Sequence, residues 1–419
     1  MRRAAAERKH LPAVLAALGT VLVLLAQTAR LEPLTDAVEG GPFRGAALEF
    51  PAGWVMTAPF SALADLLTFS GARQAGAWLL WLTGSYWLWR AFRPASSARR
   101  AWLGWAAWLA GVLAFLAWAL LTPRPIPRIA FADPELAAVD FHSHSSCSHD
   151  GRPDFTPDAN AAWHVRAGFR AGFLTDHNKE DCARPPRAYG PYAALTGTEL
   201  SLHGAHVVVL GQRGPIDAAR YQRGQAGLES LLAAAGPAHG AVVVLSLPEY
   251  WVHHRGELDR LAMLAGPAGI EISNGSPKAL EVQDAARPAV LELARRRWLF
   301  PACATDNHGW GQASFCWNVM RLPGHATRSP EDLQAAVLSR LRGGGERVRV
   351  AERRRVATAP GARVLLDPLL GLWVLLRTLT PVSACAMVAW LWVLCAVWRA
   401  APGARRRTSS TAGLPKSGP

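Results

Sequence analysis

Three long apolar runs without a charge stand out along the chain: Leu11 to Ala29, Ala101 to Pro123 and Thr378 to Trp398. Each comes close to the ~20 residues that a helix needs to cross hydrocarbon. None shows the polar face of a helix lying on a soluble domain. A fourth run, Gln74 to Trp89, is shorter, and Arg90 can extend it by snorkelling. The pattern predicts transmembrane helices at both ends of the chain. Two further apolar segments are interrupted. Phe50 to Ser70 contains Pro51, Gly53, Pro59 and Asp65, which predicts an interfacial or re-entrant helix rather than a clean span. Val364 to Leu376 is broken at Asp367 and Pro368, is too short to cross alone, and is expected at the surface leading into the last helix.

Between these flanks the period changes. Short apolar runs end at Val139, Leu174, Leu210, Leu245 and Ile272, and segments of helical character separate them. Thr156 to Gly168 has a capping threonine, a proline in its first turn and a closing glycine. Leu228 to Ala235, Leu280 to Arg297 and Ser329 to Leu341 also read as helices. Pro123 to Arg128 predicts a stiff proline linker between membrane and domain. The expected organisation is a membrane region at 1–128, a central domain at 129–355, a C-terminal anchor at 356–399 and a basic disordered tail at 400–419.

Composition and charge sharpen this division. Of the 18 tryptophans, 13 lie in or beside the flanking segments, as expected for residues that favour the membrane–water boundary. The chain carries 45 Lys and Arg against 31 Asp and Glu, a net charge of +14. Much of the excess sits in tails and membrane-adjacent loops, where anionic headgroups attract it. The central part has no basic stripe interleaved with aromatics, so the lipid bilayer is the expected partner and nucleic acid is not. Arg2, Arg3, Arg8 and Lys9, the loop from Arg90 to Arg100, and the tail from Arg399 are all expected on the cytoplasmic side, with the acidic loop from Glu32 to Glu49 outside. This predicts a multi-pass protein of a bacterial-type plasma membrane with an extracytoplasmic domain. Cys385 and Cys395 fall in the last apolar run, and Cys147, Cys182, Cys303 and Cys316 in the central part show no Cys-x-x-Cys spacing. Disulfides become possible if that part lies outside.

The candidate chemistry is concentrated from Asp140 to Gly151, which gathers His142, His144, His149 and two aspartates. Residues two apart on a strand share a face, so His142 and His144 point the same way. Paired imidazoles followed by a carboxylate suit zinc, manganese or iron. Similar groups recur after other apolar runs: His177, Glu199, His203 with His206, the stretch from Gly269 to Asn274, and Asp306 with His308. Successive strands that each deliver a polar residue at the carboxyl end predict a β/α barrel with its site at one mouth.

From Ala137 to Pro323 these motifs, in this order, resemble the PHP (polymerase and histidinol phosphatase) superfamily of metal-dependent phosphoesterases. The resemblance implies a distorted (β/α)7 barrel, here flanked by transmembrane α-helices. It implies that His142, His144, His177, Glu199, His206, Asp306 and His308 are metal ligands, with either His149 or Asp150 as the third ligand of the first motif. Two or three divalent ions (Zn, Mn or Fe) would then activate a water as hydroxide to attack a small phosphorylated substrate, which makes His142 and Asp306 catalytic through the metal they hold. His203, His253 and His254 are candidates for the acid that protonates the leaving oxygen, and Arg152 and Lys179 for holding phosphate. One position departs from the pattern: Leu247 stands where the family usually has a ligating histidine. Two rival functions share such a mouth, an amidohydrolase-like hydrolase and a non-catalytic sensory module that keeps its metal.

Overall fold

Strand β4 (Leu136–Ser143) is buried along nearly all of its length, as a strand covered on both faces must be. The computed structural model of the chain describes residues 2–91, 97–179, 185–221, 223–246 and 266–400. Leu247, His253, His254, Cys182 and the tail at 401–419 lie outside the described residues. Around β4 the chain contributes β1 (Leu34–Asp36), β5 (Ala171–Leu174), β6 (Arg187–Tyr189), β7 (Tyr192–Leu202), β8 (Ala205–Leu210), β9 (Val242–Leu245), β10 (Pro267–Asn274), β11 (Phe300–Ala304), β12 (Cys316–Arg321) and β13 (Arg349–Arg353). They form one sheet in the order β1-β13-β12-β4-β5-β7-β8-β9-β10-β11, with β6 on β7. Strands β2 (Ala46–Glu49) and β3 (Arg128–Phe131) make a separate ribbon.

The sheet is mixed. β4, β5 and β7 run parallel, as do β9, β10 and β11, but β8 is antiparallel to both β7 and β9. Strict strand–helix alternation therefore fails at β7 and β8, which are joined by a two-residue turn. His203 (φ +55) and Gly204 (φ +69) supply the left-handed pair that matches strand twist.

The sheet curls until its last strand returns to β4. Asp306 N donates to His142 O at 2.9 Å and His144 N to Asn307 O at 3.2 Å. The seam below is stitched by one buried amide: Asn318 Nδ2 donates to Val139 O (3.1 Å) and Cys303 O (2.7 Å), while its Oδ1 accepts from Cys303 N (2.7 Å). Asn318→Leu keeps the volume and removes three buried side-chain hydrogen bonds, each worth about 1 kcal/mol net. The variant is expected to lose about 3 kcal/mol or more in denaturant unfolding of the purified protein.

One face of the sheet packs Val139, Phe141, Phe173, Leu195, Val208, Val244 and Phe300 against Leu333, Val337, Leu338 and Leu341 of a helix at Pro330–Leu341. The opposite face is covered by α-helices at Pro157–Ala167, Gln225–His239 and Pro277–Arg297. The first of these has the expected ends: the Thr156 side chain accepts from Ala159 N, and Gly168 closes it at φ +88.

Among the described residues, three helices are long and apolar enough to cross a membrane: His10–Thr28, Ala98–Leu121 and Pro381–Ala400. The first and last run antiparallel. Gln27 Nε2 donates to Leu376 O, just before the last helix, whereas Trp392 Nε1, farther along it, reaches Thr20 Oγ1. A Cβ on Gly19 would come within 2.9 Å of Leu391, so glycine permits this approach. The helix at Ala72–Ala91 starts against the domain, where Arg73 pairs with Glu281 and Gln74 Nε2 donates to Asp367, and its 20 residues lead away from it.

Phe50 to Ser70 is a pair of helices, Ala52–Met56 and Ala58–Thr68, rather than one. The turn between them meets the last helix, where Trp390 Nε1 donates to Met56 O, about 14 Å from that helix's first residue. The far end returns to the domain through Asp65. That carboxylate is fully buried, lies 2.6 Å from Arg124 Nη2 and 2.9 Å from Arg353 Nη1, and accepts from Trp54 Nε1.

Within the proline segment from Pro123 to Arg128, Arg124 and Ile126 are buried. The segment from Glu32 to Glu49 belongs structurally with the domain, since β1 pairs with β13 and β2 with β3.

Candidate metal centre

The carboxyl ends of β4, β5, β7, β10 and β11, with His206 from β8, converge on one buried cluster. Asp140, inside β4, sets the backbone there: its Oδ1 accepts from His142 N at 3.2 Å, and its Oδ2 lies 2.9 Å from His164 Nε2 and accepts from Thr305 Oγ1. His142 then places Nε2 2.9 Å from His144 Nε2, 3.1 Å from Glu199 Oε2 and 3.5 Å from Asp306 Oδ1. His144 Nε2 lies 3.2 Å from the same oxygens of Glu199 and Asp306, and its other nitrogen is 2.9 Å from Ser148 Oγ. Glu199 is the hub. His177 Nδ1 lies 2.9 Å from its Oε2, and His206 Nδ1 2.6 Å from its Oε1. The His308 ring stacks on His144 with centroids 3.9 Å apart. Asp306 holds a left-handed backbone (φ +47), a conformation costly for a non-glycine residue and concentrated at functional sites.

Three overlapping groups can each offer donors to one ion: His142, His144 and Asp306; His144, His177 and His308; and His177, Glu199 and His206. Buried Nδ1 of His177, Oε2 of Glu199 and Nε2 of His308 make no hydrogen bond despite these short approaches. The two imidazole nitrogens of His142 and His144 face each other across 2.9 Å beside oxygens of Glu199 and Asp306, so all four groups can converge on one cation. The nitrogen and oxygen donor set fits a borderline divalent metal.

Electrostatics point the same way. Burial works against a charged His142, but Glu199, Glu271 and Asp306 outweigh it and hold its pKa well above the ordinary value. Burial also opposes charge on His308, and Asp150 and Asp306 still push it up to about 9. Glu199 stays ionised against its burial because of His142 and its neighbours. The pocket is built to hold positive charge.

Of the sequence candidates, His142, His144, His177, Glu199, His206, Asp306 and His308 are brought together. Between the two choices for the remaining position, Asp150 faces the cluster, with Oδ1 3.3 Å from His308 Nε2 and Oδ2 3.5 Å from His177 Nε2. His149 lies farther out, its side chain 76% exposed and its ring centroid 5.2 Å from that of His177. Arg152 is not a free phosphate ligand either. It pairs with Asp154, and its Nη1 donates to Leu121 O at 2.9 Å. Lys179 is exposed, and His203 occupies the exposed turn of the β7–β8 hairpin.

Sequence reasoning missed Glu271 as a site residue. It is buried on β10, with Oε1 2.7 Å from His142 Nδ1 and Oε2 accepting from Asn274 Nδ2. A carboxylate behind an imidazole fixes its tautomer and orientation. The available signal was an acid between two isoleucines in a buried strand, where an unpaired carboxylate does not persist.

No protein-family model matches the chain, and no curated protein does. Among solved structures, PsfC from Pseudomonas syringae is similar at a TM-score of 0.33 and 15% identity, covering 63% of this chain and 98% of its own. A protein named provisionally as a metal-dependent phosphoesterase, from Bifidobacterium adolescentis, is similar at a TM-score of 0.26 and 16% identity, covering 41% of this chain and 88% of its own. Likenesses this distant carry no functional argument, so the reading of this chain rests on its own residues.

Proposed function

We propose that the chain is a membrane-anchored, divalent-metal-dependent phosphoesterase of the PHP kind. The observation that carries this reading is the set of three donor groups that overlap through His144 and His177, with the fully buried Glu199 in one of them. His142, His144 and Asp306 would hold one ion, His177, Glu199 and His206 another, and His308 with Asp150 would close the rim. Bound ions would activate water and neutralise charge on the phosphoester oxygens. Glu271 and Ser148 orient the two imidazoles of β4, and Asp140 fixes the strand end that presents them.

Purified protein dialysed mildly is expected to retain more than one equivalent of metal by elemental analysis and to hydrolyse a generic phosphoester. A folded sample with metal near zero would sink the assignment. Hydrolysis of a generic amide alone would make it an amidohydrolase, and retained metal without any hydrolysis would make it a sensory module.

We place the domain outside the cytoplasm. The helices at His10–Thr28 and Ala98–Leu121 end against the domain and the helix at Pro381–Ala400 begins there, which puts Arg99, Arg100 and Arg399 at the far ends. Basic residues beside spans resist translocation. Cys147 is disulfide-bonded, which fits an oxidising compartment. A reporter active only outside the cytoplasm, fused after Gly151, is expected to be active and its cytoplasmic counterpart silent; the reverse pattern would overturn the orientation.

A further inference from the structure

The metal cluster and the end of a candidate membrane span are joined by direct contacts. Arg152 N donates to His308 O at 2.9 Å, and the same residue's guanidinium donates to Leu121 O, the last residue of the helix at Ala98–Leu121. On the adjoining loop, Gln312 Nε2 donates to Leu120 O at 3.2 Å, and a Cβ on Gly311 would lie 3.1 Å from Thr68. Trp310 stands between these contacts. Its Nε1 donates to Asp150 O, and the residue is 51% exposed.

One arginine side chain and one hydrogen bond separate His308 from the helix end, a distance of roughly 10 Å. The headgroup layer on each side of a bilayer is about 5–8 Å thick. If the helix at Ala98–Leu121 spans, the rim formed by Asp150 and His308 lies at the outer edge of the headgroup layer, with an exposed tryptophan beside it, a residue that favours this boundary.

We infer that the substrate is a phosphoester carried on a lipid of the adjoining leaflet, reaching the metal centre from the membrane side. This rests on the phosphoesterase reading and on the span. Hydrolysis adds the oxygen of water to phosphorus, breaks the P–O bond to the departing alcohol and gives that alcohol the proton. The same chemistry could be presented by a soluble phosphoester, so the source of the group is the point to test.

The test uses the full chain, metal-loaded, in phosphatidylcholine vesicles, with two esters that share one scissile bond: p-nitrophenyl hexadecyl phosphate and p-nitrophenyl methyl phosphate. Partitioning into the leaflet raises the local concentration of the long-chain ester, and it is expected to be preferred by at least about tenfold in kcat/KM. Equal rates, or preference for the methyl ester, would overturn the lipid source and leave the phosphoesterase reading standing. Hydrolysis of neither would overturn that reading and this inference together. A readout independent of activity is a nitroxide on Trp310→Cys, in a Cys385→Ala background that removes the exposed native thiol, in the same vesicles. Collisions with lipid-dissolved oxygen are expected to dominate over those with a water-soluble nickel chelate, and a label that senses bulk water alone would overturn the inference.

Discussion

His142→Ala is expected to lower phosphoester turnover by at least about three orders of magnitude while the domain stays folded. The imidazole touches every part of the cluster that matters for one ion: His144 and Glu199 through Nε2, Asp306 on the same side, and Glu271 through Nδ1. Truncation removes a donor and leaves Glu271 buried behind an empty place. Asp306→Ala removes the carboxylate shared by His142 and His144, and the same loss is expected. Both variants should retain less metal by elemental analysis, and circular dichroism separates this from unfolding. Near-normal turnover in either would rule out the proposed mechanism.

Asp65→Ala is expected to destabilise the protein by about 3–5 kcal/mol, because it leaves buried guanidinium groups without their counter-charge. Asp65 is the meeting point of the helix pair, the chain leaving the helix at Ala98–Leu121 and the end of β13, through Arg124 and Arg353. The midpoint of thermal unfolding in detergent measures the loss. Replacing all three residues together, Asp65→Leu with Arg124→Met and Arg353→Met, is expected to recover much of it, since apolar side chains of similar volume carry no desolvation cost. Failure of the triple variant to recover would mean that the charges specify the junction rather than merely neutralise one another.

What was legible in the sequence was local. The alternation of His142 and His144, the cap at Thr156 with its closing Gly168, and the long uncharged runs each carry their signal within a few residues. Pro51, Pro59 and Asp65 marked Phe50 to Ser70 as something other than a clean span, but the sequence led to one helix where there are two, because each proline opens a helix. What was not legible depends on partners far apart. Nothing near Leu34 indicates that it will pair with Arg353, and nothing near Arg124 indicates a buried carboxylate at Asp65. Arg152 looked like a phosphate ligand because of its neighbours, yet its side chain is occupied by Asp154 and a helix carbonyl. The sequence left His149 and Asp150 as alternatives because the direction of each side chain depends on the turn at Ser148, which adjacent residues alone do not fix. The β7–β8 hairpin was hidden because its turn residue was a histidine, which drew attention as chemistry instead of as backbone.

The pairing of β1 with β13 has a consequence for how the protein is made. β1 leaves the ribosome more than 300 residues before β13 does (349 − 36 = 313). At about 5–20 residues per second this is a wait of roughly a quarter of a minute to one minute. During that interval β1 stands just beyond the helix at Arg2–Thr28 without its partner. The sheet gains its edge only when translation has nearly reached the helix at Pro381–Ala400. Closure of the domain thus waits on almost the whole chain, and a nascent chain arrested before Arg349 holds all of the clustered residues from His142 to His308 on a sheet that is still missing its rim.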